Sequence, residues 1–445
     1  MEKNYSEFID FYGTKEVTFN FRGRSYCFAL SQELFSSADI DAGSRFLLKV
    51  FSDFLDKAEQ IPCSILDSGC GTGVLGICAA GALAALRPPE DSTPGMAFHV
   101  RAQDRDELAR RFTEFNARRN GLSEEVLSAY TEPLLAGPEG RGWDLILTNI
   151  PAKAGLPVLE DFISRSAGLL TKNGRVFLVA VNTLADFFRT RIAAVGAPLI
   201  AEETGKEHTV FVYGKADSPA EQQSGPIVFD ENFPHSCPFY IRNRSEYEME
   251  GLPYSLDTVH GAPDFDNPGG AVQAAAKLAV KIDLASKMKS SSAGGNTGQK
   301  ALLIHDAGQG HFALWLARYL NGDYKWVLSG RNIVALGAAS AALRTVIGRK
   351  GSITMPAVDI FLDRERLGAA GAGGRFGLIA FFPETMPDIE AAWEGITALA
   401  APEGLIITGM SSVEAERFDR KKPAEWCRMG DIKRKGFRAL AYQTN

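Results

Sequence analysis

The chain has 445 residues, a formal net charge of −6 and an isoelectric point near 5.7. This length exceeds one ordinary hydrophobic core and predicts two or three domains. The acidic balance excludes a uniformly basic surface, so any contact with nucleic acid has to come from a local patch. A charged N-terminal segment and the lack of a long apolar run predict a cytoplasmic protein without a membrane span.

The cysteines and histidines carry no metal signature. Six cysteines and six histidines are scattered along the chain, without CxxC pairs or mixed clusters at ligand spacing. This pattern argues against a structural zinc and against a disulfide framework. We therefore expect reduced thiols and no metal, and we expect a monomer.

Short β-like segments alternate with helical ones through the first half of the chain. The strand-like segments are SILDSG, FHVRAQD, WDLILTN, RVFLVAV and HTVFVYG, and helical patterns such as ELARRFTEFNARRNG separate most of them. Alternation of this kind predicts an α/β fold, with a parallel sheet covered by helices on both faces. The last strand follows a short hairpin-like link and is expected to run antiparallel.

The same pattern then repeats. DIDAGSRFLLKVFSDFL matches DFDNPGGAVQAAAKLAVKI, ILDSGCGTGVLG matches LIHDAGQGHFAL, and GWDLILTNIP matches RFGLIAFFPE. These matches predict two tandem copies of one domain, covering residues 1–215 and 216–445. The polar stretch 216–225 is the expected linker.

A dense glycine cluster follows the first strand of the repeated domain. In ILDSGCGTGVLG, glycines allow positive φ, and the following helix offers free N–H groups to a ligand. Part of this segment also satisfies GxGxxG, which leaves an NAD-linked oxidoreductase open as a distant alternative. A carboxylate two residues before the first glycine instead favours S-adenosylmethionine (SAM), since it attracts the cationic methionine end. The candidate cofactor residues here are Asp67, Gly69, Cys70, Gly71 and Gly73.

Two further acids are candidates for the nucleoside part of the cofactor. Asp104 closes the second strand, where a carboxylate can accept from both ribose hydroxyls. The alternative is that Asp104 caps the helix beginning near Glu107. Glu132, after the third strand, is a candidate for the adenine amine, although Thr131 is equally placed.

The stretch NIPA follows the fourth strand, at the edge where sheets of this type bind ligands. Pro151 lacks an N–H and restricts Ile150 to extended geometry, so the carbonyls of Asn149 and Ile150 are held in a defined direction. A side-chain amide oxygen and a fixed carbonyl suit the two N–H groups of an exocyclic base amine. Catalysis would then rest on alignment and electrostatics. The alternative is an ordinary Asn-x-Pro turn.

The order of these motifs, preceded by FS and DIDAGSRFLL, resembles the methyltransferase small domain family. More narrowly, it resembles ribosomal RNA guanine-N2 methyltransferases built from two tandem Rossmann-like SAM methyltransferase domains, one active and one degenerate. The resemblance implies mostly parallel seven-stranded sheets and SAM as cofactor. It adds Phe35, Ser36 and Asp41 to the cofactor-binding candidates.

The resemblance is incomplete in the catalytic loop. The family loop reads Asn-Pro-Pro followed by an aromatic or aliphatic residue, and Ile150 and Ala152 depart from it. Ala152 cannot stack on a flipped base, so Phe35 becomes the first candidate for stacking. Lys153, beside the proposed acceptors, is a candidate for substrate phosphate.

The second copy has lost several of these groups in the sequence alignment. Asp306, Gly308 and Gly310 persist, Phe312 replaces the third glycine, Gly330 or Ser329 replaces Asp104, and Phe381 or Phe382 replaces Asn149. We therefore expect the second copy to be degenerate and to bind no cofactor.

A basic segment near the C-terminus is the candidate RNA contact. Residues 417–438 hold nine Lys or Arg against three acids, and Trp426 could stack on a base. Arg434 and Lys435 are the substrate-binding candidates within it. The alternative is a solvated surface loop.

The residues predict a SAM-dependent methyltransferase that acts on an exocyclic base amine. The family resemblance implies guanine N2 of ribosomal RNA as the acceptor, with ribosomal RNA or a ribosomal subunit as partner. One alternative changes the acceptor to adenine N6 or a protein glutamine amide. Another is a non-catalytic RNA-binding or assembly protein made of two pseudo-methyltransferases.

Overall fold

The computed structural model describes residues 7–86, 98–137, 142–216, 233–263, 266–290, 300–348 and 351–444. The chain divides into two units, Met1–Val228 and Phe229–Asn445. Beyond Ala216, the predicted linker 216–225 lies outside the described residues. The domain boundary after residue 215 therefore stays a prediction.

The first unit begins with a hairpin and continues with a layered α/β core. Its elements are α1 (Glu7–Tyr12), β1 (Lys15–Phe21), β2 (Arg24–Leu30), α2 (Ala42–Leu55), β3 (Ser64–Ser68), α3 (Val74–Ala85), β4 (His99–Asp104), α4 (Glu107–Arg119), β5 (Leu127–Thr131), β6 (Trp143–Asn149), α5 (Leu156–Leu169), β7 (Leu170–Val181), α6 (Ala185–Ala194), β8 (Leu199–Thr204) and β9 (His208–Gly214).

The second unit repeats this order. Its elements are β10 (Ile241–Met249), β11 (Leu252–Val259), α7 (Gly270–Lys281), α8 (Leu284–Ser290), β12 (Ala301–His305), α9 (His311–Leu320), β13 (Lys325–Ser329), α10 (Ile333–Ile347), β14 (Ile353–Thr354), α11 (Arg364–Ala369), β15 (Phe376–Phe381), α12 (Ile389–Leu399), β16 (Ala400–Ser411), α13 (Ser412–Arg420), β17 (Trp426–Arg434) and β18 (Phe437–Thr444).

The two large sheets have the same topology. The first is ordered β5-β4-β3-β6-β7-β9-β8 and the second β14-β13-β12-β15-β16-β18-β17. In each, the next-to-last strand in the order, β9 or β18, is antiparallel to both neighbours, and the other pairs are parallel. The predicted fold, two tandem Rossmann-like domains with seven-stranded sheets, is confirmed.

Apolar periodicity explains how the first sheet is covered. On α2, Leu47, Leu48, Phe51 and Leu55 are buried along one face, and Phe51 meets Phe177 of β7 edge to face, with ring centroids 5.6 Å apart. Helix α3 is apolar almost throughout and is buried from Val74 to Leu83. A helix that is apolar on all sides is expected in the interior of a domain.

Each unit also contains a two-stranded antiparallel hairpin that the sequence analysis missed, β1–β2 and β10–β11. Their turns place Arg22 and Gly23 at φ of 47° and 76°, and Glu250 and Gly251 at φ of 46° and 76°. Positive φ at both central residues is the type I′ geometry that matches strand twist. The alternation in KEVTFNF and the Arg-Gly pair are the signals that predict it.

Within the described ranges, no helix is both long enough and apolar enough to cross a bilayer.

Candidate functional site

The glycine loop connects β3 to α3 at the carboxyl edge of the first sheet. Gly69, Gly71 and Gly73 adopt φ of 76°, 55° and 86°, a region that residues with a side chain rarely occupy. A Cβ at Gly69 or Gly71 would meet nothing within 4 Å, so the space above the loop is open. The loop therefore presents bare backbone to a ligand.

Asp67 lies beneath this loop, and one of its carboxylate oxygens has no hydrogen-bond partner. Its Oδ2 accepts from the Gly76 N–H at 2.8 Å, and its Oδ1 is buried without a hydrogen-bond partner. Burial, partly offset by the Gly76 hydrogen bond and reinforced by the charge of Asp104, raises the pKa of Asp67 to about 7. A Cβ at Gly76 would come within 2.8 Å of Oδ2, so glycine is needed for this approach. A buried carboxylate with an orphaned oxygen fits a cationic ligand group.

Asp104 joins the loop from the neighbouring strand. Its Oδ2 accepts from the Gly71 N–H and its Oδ1 from the Asp106 N–H, both at 3.1 Å. The cap of α4 is Asp106, which accepts from the Leu108 N–H at 2.8 Å. The capping alternative for Asp104 is therefore wrong. Burial raises the pKa of Asp104, and the carboxylate lies at the loop where the ribose contact was predicted.

Cys70 lies inside the loop and is buried. The Thr113 hydroxyl of α4 contacts its Sγ at 3.3 Å and donates to the Gly71 carbonyl at 3.1 Å. Burial raises the pKa of the Cys70 thiol well above its usual range. A neutral thiol of this kind packs the loop and is not a nucleophile.

Asn149 ends β6 and is held from two sides. Its Nδ2 donates to Asp41 Oδ2 at 2.7 Å and to the Ser44 hydroxyl at 3.0 Å. Asp41 is also the N-cap of α2, where the same oxygen accepts from the Ser44 N–H at 3.1 Å. Because a carboxylate only accepts hydrogen bonds, this contact fixes which way the amide points. None of the described residues donates to Asn149 Oδ1, which remains an accessible acceptor at the sheet edge.

The rest of the predicted catalytic loop, residues 150–153, follows Asn149 at the carboxyl end of β6. The Ile150 side chain is buried, and Pro151 has φ of −71° and ψ of 135°, which is extended geometry. Ala152 and Lys153 are both exposed. The loop thus exposes its backbone and Lys153 to solvent, and it offers no aromatic surface of its own.

The remaining predicted cofactor residues have different surroundings. Glu132 accepts from Arg101 at 2.7 Å, and Arg101 lies 3.6 Å from the Tyr130 ring centroid. Phe35 is 62% exposed, and Ser36 has φ of 65°, in the segment that leads to Asp41. Their contacts to a cofactor stay predictions.

The second unit keeps two glycines of the loop, Gly308 and Gly310, but lacks the acids and the asparagine of the first unit. The structure also corrects the sequence alignment of the two units. Gly310, like Gly73, is the left-handed N-cap of the helix after the loop, and Asp306 N, like Gly69 N, donates to the neighbouring strand. Placing Phe312 at the third glycine and Asp306 at Asp67 is therefore wrong by two residues. The strand registers place Ile304 at Asp67, Asp306 at Gly69, Gly330 at Asp104 and Phe382 at Asn149.

The basic segment 417–438 is less available than its composition suggests. Trp426 is fully buried, and its Nε1 donates to Thr397 at 2.9 Å, so the prediction that it stacks on a base is wrong. The basic residues that form ion pairs with carboxylates are Arg420, Lys421, Arg428, Arg434 and Arg438. Arg434 is 3.9 Å from Glu250, and Lys435 is exposed in the β17–β18 turn.

Ser44 is a site residue that the candidate residues omitted. Its hydroxyl accepts from Asn149, and the motif DIDAGS is the signal that marks it. No group of three or more His, Cys, Asp or Glu residues in the described ranges is arranged to hold a metal ion.

Comparison with known proteins connects this geometry to one family. Residues 25–192 match the methyltransferase small domain model. The protein YbxB of Bacillus subtilis is 28% identical over 180 residues, which are 40% of this chain and 80% of that protein. Ribosomal RNA small subunit methyltransferase C of Actinobacillus pleuropneumoniae is 28% identical over 151 residues, 33% of this chain and 40% of the enzyme. This chain therefore spans less than half of the latter relative.

One solved structure matches both units. The 16S rRNA N2 G1207 methyltransferase of T. thermophilus superposes with a TM-score of 0.58 at 14% identity, over 97% of this chain and 98% of that one. At this identity the likeness concerns the fold. The segment 25–192, which carries the glycine loop and the Asn149 loop, belongs to the methyltransferase small domain family.

Proposed function

We propose that the first unit transfers a methyl group from SAM to the exocyclic N2 amine of guanine in ribosomal RNA. The observation that carries this proposal is the orientation of Asn149, whose amide N–H₂ is held by Asp41 and Ser44. This orientation leaves Oδ1 as an acceptor beside the glycine loop. An acceptor fixed at this edge suits a substrate amine that has protons to donate.

The residues around the glycine loop fit SAM. The orphaned Oδ1 of Asp67 matches the cationic methionine end, and Asp104 matches the two ribose hydroxyls. The bound cofactor would supply an electrophilic methyl on its sulfonium. The T. thermophilus enzyme was solved in complex with AdoMet and guanosine, which supports this choice of cofactor and acceptor.

The chain would act on the acceptor mainly by holding it. Asn149 Oδ1 and the Ile150 carbonyl would each accept one N–H of the amine and direct its nitrogen at the methyl group. The lone pair of such an amine is delocalised into the base, and two acceptors favour the charge that develops on nitrogen. The scheme requires no strong general base. A base in an RNA helix would have to leave its stack to reach the loop.

The second unit would bind no cofactor. Ile304 and Gly330 stand where the first unit has carboxylates, so neither the cationic end nor the ribose finds a partner there. We include in the proposal that this unit presents RNA through Arg434 and Lys435, with Lys153 receiving phosphate at the first unit.

Nucleoside mass spectrometry of ribosomal RNA, purified by subunit from cells with and without the gene, tests the proposal. We expect part of the N2-methylguanosine signal to disappear, and to return with the wild-type gene but not with Asn149→Ala. Phe382→Leu, at the matched position of the second unit, is the control and should restore the signal.

Other outcomes separate the alternatives. Loss of N6-methyladenosine, or of methylation on a ribosomal protein, would move the acceptor and keep the reaction. An unchanged profile for RNA and protein, together with no SAM binding by calorimetry, would reject the enzyme and favour a pseudo-methyltransferase.

A further inference from the structure

The second unit contains a cavity that the proposed reaction does not use. It has a volume of about 390 Å³ and lies between the β10–β11 hairpin and helix α10. Arg244 and Glu246 of β10 and Ser255 and Asp257 of β11 line the hairpin side, and alanines of α10, Ala342 among them, line the helix side. The volume is in the range of small-molecule sites.

In the first unit, two asparagines bind the matching strand β2: Asn116 of α4, and Asn120, which is the C-cap of that helix. Asn116 Oδ1 accepts from the Ala29 N–H at 2.8 Å, and its Nδ2 donates to the Ala29 carbonyl at 3.1 Å. Asn120 does the same for Cys27, at 2.9 Å and 2.8 Å. Each carboxamide therefore pairs with both backbone groups of one residue on the outer edge of β2.

The structural correspondence between the two places is fixed by shared landmarks. Helices α4 and α10 both begin after a side-chain N-cap, Asp106 and Asn332, which aligns Asn116 with Ala342 and Asn120 with Val346. The two-residue turns align β2 with β11, so that Ala29 matches Asp257 and Cys27 matches Ser255. Both asparagines are thus replaced by side chains that make no hydrogen bond, and Ala342 lines the cavity whereas Val346 does not. The same alignment matches the cavity residues Ala338, Ala341 and Thr345 with Phe112, Phe115 and Arg119, so smaller side chains line the whole helix side.

The replacement leaves a polar strand edge facing the cavity. In an antiparallel pair, alternate residues turn their N–H and C=O away from the partner strand. In the first unit these are Cys27 and Ala29, so in the second they are Ser255 and Asp257. Among the described residues no side chain bonds to the N–H or C=O of Asp257, and Ala342 leaves room for one. The N–H and C=O of one residue can together bind a ligand that carries an acceptor and a donor next to each other.

We propose that this cavity binds a nucleobase through its hydrogen-bonding edge. A base presents an adjacent donor and acceptor in one plane, as the Asn116 carboxamide does to Ala29 in the first unit. The base would accept from the Asp257 N–H and donate to the Asp257 carbonyl, with its face on the alanines of α10. Arg244 and His235, each 63% exposed, lie on the rim beside Glu246, and each is 3.6 Å from Asp257 Oδ2. Both side chains would have to turn from this carboxylate to bind a phosphate attached to the base.

The side chains that the second unit lacks favour a planar ring over an extended peptide. In the first unit, the matched helix positions carry the Phe112 and Phe115 rings and the Asn116 carboxamide, where the second unit has alanines. An added strand lies about 4.8 Å from its neighbour and also needs room for its own side chains. A flat heterocycle has the shape of the rings and the amide that the alanines replace, and its stacking surface matches small apolar side chains. The inference does not depend on methyl transfer by the first unit.

Calorimetric titration of the full chain with guanosine and uridine 5′-monophosphates, ribose 5-phosphate and a single-stranded RNA oligonucleotide tests the proposal. We expect at least one mononucleotide or the oligonucleotide to bind, ribose 5-phosphate to fail, and Ala342→Asn to weaken binding at least tenfold. The substitution restores the residue of the first unit and fills the gap. Val413→Asn, at an exposed position of the same unit, is the control.

Amide hydrogen exchange gives a second measurement if Ala342→Asn folds poorly. The Asp257 amide should exchange fast in the free wild-type protein and slowly with nucleotide bound. Tighter binding of the oligonucleotide than of the mononucleotides would identify a nucleic-acid strand as the source, and the reverse would identify a free nucleotide. Equal binding by wild type and Ala342→Asn, equal binding of ribose 5-phosphate, or no binding at millimolar concentration would overturn the proposal.

Discussion

The two units differ in the polarity of the side chains that meet at the carboxyl edge of their sheets. At three matched positions the first unit has polar groups that bond to one another, and the second has small or apolar ones. The first set is Asp41, Ser44 and Asn149, and the matched second set is Gly269, Val272 and Phe382. The identical strand order therefore does not preserve the site.

The difference indicates that the three polar groups form one functional set. Phe382 fills the Asn149 position and packs against Phe312, with ring centroids 4.7 Å apart. An apolar residue at this position excludes the acceptor and closes the edge with a hydrophobic contact. A lone Asp41 or Ser44 would then have no amide to orient, which accounts for the change at all three positions.

The largest expected effect comes from removing the polar side chain of Asn149, since the second unit has an apolar residue at the matched position. Asn149→Ala should lower kcat for methyl transfer by about 10²–10³-fold, the loss typical of one preorganised polar group. The affinity for SAM should change little, because Asn149 contacts the acceptor. Single-turnover kinetics with ribosomal RNA and a SAM titration measure both. An unchanged kcat would contradict the assigned role of the loop.

Removing the partner of Asn149 tests whether its orientation is essential. Asp41→Ala frees the amide to turn and should lower kcat by up to about 100-fold, since small misplacements near the chemistry have effects of that size. The family resemblance makes Asp41 a cofactor-binding candidate, whereas its contact with Asn149 makes it a positioning residue. In the positioning role, the affinity for SAM should stay within twofold. Asp39→Ala is the matched control, because Asp39 is an exposed acid two residues away that pairs with Arg45. If both variants lose equal activity, the effect belongs to the segment and not to the Asn149 contact.

Asp104 is a cofactor-binding residue of the first unit that the second unit lacks, because the second unit has Gly330 at the matched position. Asp104→Ala should weaken SAM binding by about 10–100-fold, as hydrogen bonds to a charged group contribute about 1.5–3 kcal/mol. Asp106→Asn keeps a capping side chain and removes a neighbouring charge, so it should bind SAM nearly as wild type does. Calorimetry measures both, and equal affinity of Asp104→Ala and wild type would reject the ribose contact.

The two hairpins differ in the hydrogen bonds that hold their outer strands. Side-chain amides bind β2 in the first unit, and no side chain in the described part of the second unit binds the backbone of the matched residue of β11, so the effect of substitutions on unfolding should differ. Asn116→Ala removes the hydrogen bonds to the Ala29 backbone groups and to the Thr72 carbonyl of the glycine loop. It should lower the free energy of unfolding of the first unit by about 1–3 kcal/mol. Ala342→Asn should leave the second unit at least as stable. Urea unfolding followed by hydrogen exchange distinguishes the units. A neutral Asn116→Ala would mean that water replaces the amide at no cost.

The smallest expected effect is a pH dependence carried by Asp67, which the second unit lacks. Its pKa of about 7 means that the carboxyl is largely protonated at pH 6 and largely ionised at pH 7.5. Only the ionised form attracts the cationic cofactor end, so SAM affinity should rise by about fivefold to tenfold over this range.

The stability of the first unit should move in the opposite direction. The folded pKa of Asp67 lies above the unfolded value of 3.8, so its contribution is favourable at low pH and is lost as pH rises toward 7. Asp67→Asn should abolish both dependences. An affinity for SAM that stays pH-dependent in Asp67→Asn would assign the titration to another group.

The local sequence was sufficient to predict the glycine loop of the first unit. It was insufficient to align the second unit with the first. ILDSGCGTGVLG predicts its own turn because its glycines leave little choice of backbone conformation. LIHDAGQGHFAL contains a glycine pair that can be placed in two registers, and only the strand pairing and the Gly310 cap decide between them. The hairpins were missed because alternation over seven residues is weak evidence beside a strong α/β pattern.

Composition alone also misjudged the basic segment. Trp426 was a candidate for stacking because it lies among lysines and arginines, yet it alternates inward on β17 and packs near Trp393. The charge excess of residues 417–438 is similarly reduced by Glu390 of α12 and by Glu250 of the β10–β11 turn, which are distant in the chain. Burial and ion pairing depend on neighbours that a local window does not contain.

The sequence by itself determined the tandem α/β domains, the glycine loop and the position of Asn149 after a strand, because hydrophobic periodicity and glycine conformation are local properties. The tertiary structure alone decided that Asp41 and Ser44 orient Asn149, that Asp67 keeps an orphaned oxygen, and that a cavity lies at the place where Asn116 of α4 binds the hairpin of the first unit. Each of these joins residues from separate elements, and such contacts follow from packing, which no single segment specifies.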